Sequence, residues 1–402
     1  MTYNLRAMLE NETEKNDTVA NYIAKKMGYS NPSSISKFLN YKKYPKRESE
    51  KFTGLVDIVN EFFGDIAHEV MTDYAKTISP TRETARYMLE YASSNNLREL
   101  QAYLIDKMMY SKNAEAVNWA KLYEIDYIYN ERNLPNSKIT ISNSEMINKI
   151  ENFSSDIEEL QAFKKILQMY YYYENKHITI LFETSEDAHH KIEKITNSAD
   201  ELYIKNSYLT RYASIMLGVY LSKDRKVECR KLADQVIKSD AAVNMKTIAY
   251  LQKGNSFIFE NYDSAMESYK QGLDMTDKVN ERLQLAIKRS INFLNVVWGK
   301  PLAFITDDSV ISDLHNKIHD YLNKGKNEKA IEVLNSINFD QLDDCDKGFQ
   351  MYYEGIAKND KASLIESLKA FNKAGKRNYC NMTLIELEKH GENTSLLISL
   401  IA

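Results

Sequence analysis

Two histidines four residues apart form the arrangement in this sequence that is most similar to a metal site. In DLHNKIHD, His315 and His319 would share one face of a helix and could both reach one cation. Asn316, however, stands where a zinc protease of this pattern carries its glutamate base, and no third ligand lies nearby in the sequence. We therefore expect no metal here, and a histidine pair that is solvated or faces a ligand.

Neither nucleophilic catalysis nor nucleotide binding is indicated. The sequence has no serine or cysteine nucleophile motif, and paired acids such as Asp343 and Asp344 stand where helix caps are expected. Only 12 of the 402 residues are glycine, and none lies between Gly64 and Gly218. Phosphate-binding loops and tight hairpins need glycine, so nucleotide folds and most sheet architectures are disfavoured. The sequence predicts an all-α protein that is not an enzyme and needs no cofactor.

The strongest concentration of charge lies near the N-terminus. Residues 18–47 carry seven lysine or arginine side chains and no acid, which leaves −11 for the rest of a chain whose net charge is −4. A basic segment on an otherwise acidic chain suits attraction to phosphates, since each neutralised phosphate adds salt-sensitive affinity. This segment is the candidate for contact with double-stranded DNA.

The same segment has the pattern of a helix-turn-helix. Two short amphipathic helices are separated by a residue suited to the left-handed conformation, and the second helix opens with proline in its first turn. The residues that define the pattern are Ile23, Ala24 and Met27 on the first buried face, Gly28 in the turn, Asn31 and Pro32 at the second start, and Ile35, Phe38 and Leu39 on the second buried face.

The residues left outward on and after the second helix are the predicted DNA contacts. Short polar side chains near the start of such a helix meet base edges, and cations just beyond it lie along phosphates. These residues are Ser33, Ser34, Lys37, Asn40, Lys42, Lys43, Lys46 and Arg47. The alternative is that the lysines form only the solvated face of an amphipathic helix pair.

Helical hairpins in the second half of the chain share one spacing of small and apolar residues. Gly218 and Cys229 are followed, 36 residues later, by Gly254 and Ala265. Residues spaced by four and then three form a stripe that packs against a small residue of the preceding helix. The stripes are Cys229, Ala233 and Val236; Ala265, Tyr269 and Gly272; Ala330, Leu334 and Ile337; and Ser367, Phe371 and Ala374. The pattern resembles tetratricopeptide repeats.

Local signals also mark helix starts in the first half. Ser79 before Pro80 is expected to be an N-cap with proline in the first turn, and Ser142 with Glu145 has the spacing of a capping box. These signals predict successive short helices.

The predicted architecture is an N-terminal helix-turn-helix domain followed by a right-handed α-solenoid of degenerate tetratricopeptide-like repeats. We place the DNA-binding domain at residues 1–65, the superhelix at 66–380, and C-terminal capping and dimerisation helices at 381–402. A repeat stack cannot bury its own ends, so the last segment is expected to cap the stack or pair with a second chain. Its apolar stripe consists of Leu396, Leu397, Leu400 and Ile401.

A basic helix-turn-helix joined to a degenerate repeat stack resembles the peptide-sensing regulators of Gram-positive bacteria and their phages. Within that group, four stretches are similar to the arbitrium receptor (AimR) family of temperate Bacillus phages. They are YIKNSYLTRY (203–212), YLQKGNSFIFENYDSA (250–265), INFLNVVW (291–298) and LIELEKHGEN (384–393). The resemblance covers nearly the whole chain, loosely before residue 200 and more closely after it.

The resemblance implies a transcriptional regulator that controls the phage lysis-lysogeny decision. It implies a homodimer held through the C-terminal helices, a DNA-bound form that activates a regulatory transcript, and a short imported peptide that ends this activation. No membrane association is expected, because the most apolar runs are too short to span a bilayer. The three scattered cysteines suit reduced thiols in the cytosol of the bacterial host.

The same resemblance implies residues that bind the peptide. Asparagine amides on the concave side of such a superhelix can hold a peptide backbone whatever its side chains. The implied residues are Asn255, Ile258 and Phe293, which match family positions; Asn206 and Arg211 in YIKNSYLTRY; and Asn244, Asn316 and Lys376, where the family pattern differs. Gly218 and Ser222 replace two asparagines, and Lys376 replaces an acid. These departures favour a ligand with an acidic side chain, or one that places its C-terminal carboxylate there.

Two other interpretations remain open at the level of sequence. One is a repeat scaffold that binds a protein partner without DNA, as the response-regulator phosphatases of the same broad superfamily do. The other is a chromosomal or plasmid regulator of the same build. Salt-dependent DNA binding distinguishes the regulator from the scaffold.

Overall fold

The computed structural model describes residues 2–15, 17–29, 31–40, 43, 52–81, 83–132, 137–195, 201–239, 241–276, 281–393 and 397. Within these residues all regular secondary structure is helical, which confirms the all-α prediction. The chain forms two compact units. Unit 1 consists of Met1–Tyr171 and Thr179–Tyr212, and unit 2 of Tyr172–Ile178 and Ala213–Ala402. The predicted domain limits at 65/66 and 380/381 each fall inside one of these units.

The first eleven helices contribute mainly to unit 1. They are α1 (Leu5–Lys15), α2 (Asp17–Lys26), α3 (Ser33–Leu39), α4 (Phe52–Phe63), α5 (Ala67–Ala75), α6 (Glu83–Ser94), α7 (Arg98–Met109), α8 (Ala114–Glu131), α9 (Asn143–Asn152), α10 (Glu158–Glu174) and α11 (Ile178–Lys194). A 3₁₀ turn, Gly64–Ile66, joins α4 to α5. Helix α12 (Glu201–Ser222) contributes residues to both units.

The remaining helices belong to unit 2. They are α13 (Lys226–Lys238), α14 (Val243–Phe257), α15 (Tyr262–Met275), α16 (Glu281–Val297), α17 (Ile311–Asn323), α18 (Asn327–Ser336), α19 (Asp344–Lys358), α20 (Lys361–Lys373) and α21 (Arg377–Lys389). Helix α21 runs across residues 380 and 381, so the predicted start of a separate C-terminal segment lies within a continuous helix.

The helix-turn-helix pattern forms as the sequence predicts. Ile23, Ala24 and Met27 are buried, and Gly28 adopts a φ of +70°, which a glycine reaches without steric cost. The chain then turns into α3, whose Ile35 is buried. The predicted buried face also included Phe38 and Leu39, of which Phe38 is buried and Leu39 is half-buried.

A glycine outside the predicted pattern allows α4 to pack against α2. A Cβ on Gly54 would lie 2.0 Å from the Lys26 carbonyl oxygen, closer than real atoms approach. The sequence analysis did not identify this residue, because a lone glycine in a helix gives no sign of which backbone it touches. Gly54 therefore helps to fix α2 beside α4.

The predicted stripes of unit 2 are all buried. Each lies on the second helix of a hairpin, in α13, α15, α18 and α20. In the α14–α15 hairpin, a Cβ on Gly254 would lie 2.4 Å from the Tyr269 ring. In the α19–α20 hairpin, Gly348 faces Phe371 in the same way at 2.6 Å. The close helix approach predicted from Gly254 is therefore confirmed in the α14–α15 hairpin, and Gly348, which was not singled out from the sequence, makes a similar approach in the α19–α20 hairpin.

Two local predictions were wrong. A Cβ on Gly218 would meet the Tyr173 hydroxyl at 2.2 Å, so its nearest neighbour is a tyrosine of α10 and not the stripe of α13. Helix α6 begins at Glu83, and Ser79 hydrogen-bonds in the preceding turn, where its hydroxyl lies 3.0 Å from that of Thr81. The capping box of Ser142, by contrast, forms as expected at the start of α9. Spacing alone does not separate a cap from an isolated turn.

Candidate functional sites

The outward face of α3 carries the described part of the predicted DNA contacts. Ser34 is half-buried, and the exposed members are Ser33, Lys37, Asn40 and Lys43. Asn31 accepts a hydrogen bond from the Ser33 backbone N–H at 2.9 Å, which stabilises the start of the helix. Lys42, Lys46 and Arg47 lie outside the described residues. The described face leaves short polar groups and cations open to solvent.

The inner face of α3 is anchored by α1 and α5. Phe38 is fully buried, with the Arg6 guanidinium 5.0 Å from its ring centroid and the Tyr74 ring edge-on at 6.4 Å. Because a cation–π contact and an aromatic contact hold the buried ring, α3 cannot easily rotate its polar residues inward. The geometry presents one fixed face, which is what groove recognition requires.

Arg211 lies in the interior of unit 1, among acids of other helices. Its side chain is 3% exposed; Nε donates to Glu90 at 2.7 Å and Nη2 donates to the Ser93 hydroxyl at 2.6 Å. Asp126 lies 3.7 Å away. Although burial opposes the charge, Glu90 and Asp126 hold the pKa of Arg211 well above its ordinary value. The structure thus gives Arg211 an ion-pairing partner inside the protein.

The acids of this network were not identified from the sequence. Glu90 and Asp126 are both fully buried, on α6 and α8, and Tyr123 donates to Glu90 at 2.7 Å. Acids on helices usually face solvent, and nothing in their spacing marks these two as different. Asn206, the neighbouring predicted peptide contact, is exposed on α12. Asn206 and Arg211 therefore have very different surroundings.

Asn255 and Ile258 lie at the end of α14 in unit 2. Asn255 is half-buried; its Nδ2 donates to the Gln252 side chain at 3.2 Å, and its Oδ1 accepts from the Tyr269 hydroxyl at 2.7 Å. Ile258 is buried, and its carbonyl accepts from the Trp298 indole at 2.7 Å. Both residues are held within the α14–α15 hairpin. A ligand amide would have to compete with Gln252 for Asn255.

Phe293 belongs to a group of rings from five parts of unit 2. Its centroid lies 6.3 Å from Phe259, 5.7 Å from Phe349 and 5.9 Å from Tyr379. We define the aromatic cluster as Phe259, Phe293, Phe349, Phe371 and Tyr379; all except Phe371 are half-buried. The cluster could have been predicted from the sequence, because aromatic residues recur along successive hairpins. The cluster offers a partly open apolar surface.

Asn244 and Asn316 do not share one environment. Asn244 is half-buried in the first turn of α14. Asn316 is 3% exposed on α17, and its Nδ2 donates to the Arg289 carbonyl at 3.4 Å. Burial and an internal acceptor make Asn316 a weak candidate for contact with a ligand.

Lys376 occupies the N-cap position of α21 and is half-buried. Its Nζ donates to the Ser222 hydroxyl at 3.1 Å and lies 5.8 Å from the Tyr173 ring centroid. Ser222 ends α12, so this contact joins helices 154 residues apart in sequence. Tyr379, one turn further along α21, is part of the aromatic cluster. A cation and an apolar surface therefore meet on one helix.

The histidine pair is buried, so the expectation of solvated rings was wrong. Both rings pack against Tyr353, and Nε2 of His315 lies 3.4 Å from the Gln350 side chain. Burial lowers the pKa of His315 to about 4, against the effect of Gln350, and lowers that of His319 to about 4 as well, against Asp320. Among the described residues no cluster of three or more histidine, cysteine or acidic side chains could hold a metal ion.

The three cysteines are unpaired thiols. Cys229 and Cys380 are buried, and Cys345 is half-buried. Burial raises the pKa of Cys229 and of Cys345 to about 12, and that of Cys380 to about 11. Because the thiolate is the reactive form of cysteine, burial that disfavours it suits these side chains to packing.

The predicted dimerisation stripe is only partly described. Leu396, Leu400 and Ile401 lie outside the described residues. Leu397 is half-buried and packs against the hydrophobic core formed by α17 to α21. The helices of the described part of the chain include none long and apolar enough to cross a membrane.

Comparison with known proteins identifies the family. The AimR transcriptional regulator-like family matches residues 67–389. The AimR transcriptional regulator of Bacillus phage SPbeta is 28% identical over 394 residues, which is 98% of each chain. That of Bacillus phage phi3T is 27% identical over 393 residues, 97% of this chain and 99% of the relative.

A solved structure shows the same fold over the whole length. The structure of selenomethionine phAimR superimposes with a TM-score of 0.77 at 25% identity, covering 99% of this chain and 100% of the other. The relatives named above are transcriptional regulators rather than enzymes, in agreement with the sequence prediction. The outward face of α3, the buried repeat stripes and these matches lead to one conclusion: the chain belongs to the AimR transcriptional regulator-like family.

Proposed function

We propose that this protein is a peptide-responsive, DNA-binding transcriptional regulator that acts in a phage lysis-lysogeny decision. The observation that carries the DNA-binding half is the face of α3: Ser33, Lys37, Asn40 and Lys43 are exposed while Ile35 and Phe38 fix the opposite side. In a helix-turn-helix, such a face enters the major groove. The free protein binds DNA and activates a regulatory transcript, and a short peptide ends that activation.

Charge supports contact with phosphates. The seven cations of residues 18–47 stand on a chain that is otherwise strongly acidic, so attraction to DNA is confined to one region. Lys25 and Lys26, at the end of α2, are exposed on the first helix of the same motif. Cations on both helices can lie along phosphates while α3 meets base edges.

The peptide-sensing half is supported by unit 2. The half-buried rings of the aromatic cluster offer apolar contact, Asn244 and Asn255 offer amides, and Lys376 offers a positive charge. Hydrophobic walls with a few placed polar groups are typical of ligand sites. The AimR regulators of phages SPbeta and phi3T support the phage setting. The dimer is proposed to form through the C-terminal stripe that includes Leu397.

To test DNA binding, random fragments of a phage genome are passed over the full-length protein, and the fragments that it retains are sequenced. The enriched sequence is then titrated with protein at several salt concentrations. We expect specific binding with an affinity that falls steeply with salt. Lys37→Gln with Lys43→Gln is expected to weaken binding and to reduce the slope of log affinity against log salt by about one for each phosphate contact removed.

The matched control is Lys107→Gln, which removes an exposed cation of α7 in the same unit. It is expected to leave affinity and slope unchanged. If no fragment is enriched even at low salt, DNA binding is excluded and the repeat scaffold becomes the better description.

A further inference from the structure

Lys376 is a cation whose surroundings in unit 2 point to a ligand. Its Nζ contacts a neutral hydroxyl, that of Ser222, and the face of Tyr173. Among the described residues no carboxylate forms an ion pair with it. Other lysines of the unit do find acids: Lys176 pairs with Asp343 at 2.8 Å. An ammonium that donates to a neutral hydroxyl can still form a stronger, charge-assisted hydrogen bond with an anion.

The backbone around Lys376 adds positive potential. Gly375 takes a φ of +66°, which turns the chain from α20 into α21 and places Lys376 at the N-cap of the new helix. The first turn of α21 contains no acid, so nothing there offsets the positive end of the helix dipole. An anion next to Nζ would interact with both the ammonium and the helix start.

Asp343, an acid that acts together with Lys376 on the Cys345 thiol, is engaged elsewhere. Asp343 accepts from Lys176 and from the backbone N–H groups of Cys345 and Asp346 at the start of α19. These bonds hold that carboxylate in its capping position. Turning Asp343 towards Lys376 would therefore break an existing cap and ion pair.

We propose that Lys376 binds a carboxylate of the peptide ligand, which displaces the Ser222 hydroxyl. The carboxylate is either an acidic side chain or the C-terminus of the peptide. This inference rests on the proposed function, because it names the chemistry of the ligand sensed by unit 2. Exchange of a neutral acceptor for a charged one strengthens the hydrogen bond and satisfies the cation.

The aromatic cluster indicates which kind of side chain the ligand carries next to its carboxylate. Tyr379 follows Lys376 by one turn of α21, and its ring lies 4.9 Å from Phe349 and 5.9 Å from Phe293. A peptide whose carboxylate reaches Nζ would lay an adjacent side chain on these half-buried rings. The ligand is thus expected to combine a carboxylate with an apolar residue beside it.

The probes are four short-peptide libraries of equal diversity. Two contain aspartate and glutamate and two contain only asparagine and glutamine in their place; one of each pair has a free C-terminus and the other a C-terminal amide. Peptides retained by the full-length protein are identified by mass spectrometry. We expect retention from the carboxylate-containing libraries to exceed that from the library lacking any carboxylate by about tenfold or more, as a charge-assisted hydrogen bond implies.

Substitutions at position 376 show whether Lys376 causes the preference for peptides with a carboxylate. Lys376→Gln is expected to abolish the preference, and Lys376→Arg to keep it because the charge remains. Lys369→Gln is the matched control, since Lys369 is an exposed lysine of α20 paired with Glu366. It should behave as the unaltered protein. The side-chain and C-terminal libraries show separately which carboxylate Lys376 takes.

The outcomes separate this inference from the proposed function. Equal retention from all four libraries by the unaltered protein overturns the inference and leaves peptide sensing in place. So does a carboxylate preference that survives Lys376→Gln. Retention from none of the libraries overturns both the inference and the peptide-sensing half of the function. The comparison of libraries needs no variant, so it holds even if Lys376→Gln does not fold.

Discussion

At the scale of single residues, burial and existing partners decide which polar groups remain for a ligand. Arg211 is charged but enclosed by Glu90 and Ser93, so its hydrogen-bonding capacity is used inside unit 1. Lys376 is charged, half-buried and held by a hydroxyl. Arg211 is therefore a poor candidate for binding an anionic ligand, because it already forms an ion pair. Lys376 is a better candidate, because among the described residues no carboxylate forms an ion pair with it.

Because His315 and His319 are buried, the free energy of unfolding is expected to depend on pH. Their folded pKa of about 4 lies below the value of about 6.5 expected in the unfolded chain, so the unfolded state binds more protons between these values. Stability present at neutral pH is therefore lost as the pH falls from about 6.5 towards 4. Chemical denaturation across this range should show uptake of about one proton on unfolding for each buried histidine.

Substitution of each histidine separates its contribution to the pH dependence of stability from that of the other titratable groups. His315→Leu and His319→Leu are each expected to flatten the pH dependence by about one proton, whatever their effect on stability at neutral pH. His177→Gln, which removes an exposed imidazole, serves as the control and should leave the dependence unchanged. An unchanged slope in both leucine variants would show that the two rings do not stay neutral in the folded protein.

At the scale of elements, close helix approach in unit 2 depends on glycine facing an aromatic ring. Tyr269 is fully buried and donates to Asn255, so its ring cannot move away from Gly254 without breaking that bond. Gly272 in the same hairpin differs, because a Cβ there would lie 3.2 Å from the end of Ile287 and 3.3 Å from the Tyr250 Cβ, both longer than the contact at Gly254. The two glycines of one hairpin thus have different tolerance for a larger residue.

Gly254→Ala is expected to destabilise the protein by about 1–3 kcal/mol, since its Cβ would lie 2.4 Å from the Tyr269 ring. Gly272→Ala brings a Cβ to 3.2 Å from the end of Ile287 and 3.3 Å from the Tyr250 Cβ, and it is expected to destabilise the protein by less than Gly254→Ala, because the contacts are longer and alanine recovers up to about 1 kcal/mol of helix propensity. Denaturant unfolding followed by circular dichroism measures both. Equal effects of the two substitutions would mean that the ring next to Gly254 relocates freely.

At the scale of the whole molecule, the two proposed activities belong to different units. The α3 face lies in unit 1, and Lys376 with the aromatic cluster lies in unit 2, while α12 contributes residues to both. A ligand changes DNA binding only by the difference in its affinity for the DNA-bound and free forms. The coupling is therefore a property of the complete chain and not of either site.

Linkage makes this coupling measurable in both directions. If a peptide retained from the libraries lowers the affinity for the enriched DNA by a given factor, that DNA is expected to lower the affinity for the peptide by the same factor. Calorimetric titration of peptide into protein, with and without DNA, provides one factor, and DNA titration with and without peptide provides the other. Unequal factors would show that a further equilibrium, such as dimer dissociation, takes part.

The sequence by itself determined the helical class, the helix-turn-helix, the buried repeat stripes and the exposed polar face of α3. These features follow from periodicity and from single residues such as Gly28, whose effects act within one or two turns of chain. Helix boundaries were predicted less accurately, as the turn at Ser79 shows. The same residue types favour helix caps and isolated turns, so local sequence does not distinguish the two.

Only the tertiary structure decided which polar groups meet. The Arg211–Glu90 pair and the Lys376–Ser222 contact join residues 121 and 154 positions apart, and the histidine pair became part of the core through its packing on Tyr353. No local pattern encodes such partners, since a helix face shows which side is polar but not what lies opposite. Side chains that bind a ligand and side chains that stabilise the core are therefore distinguished by long-range packing.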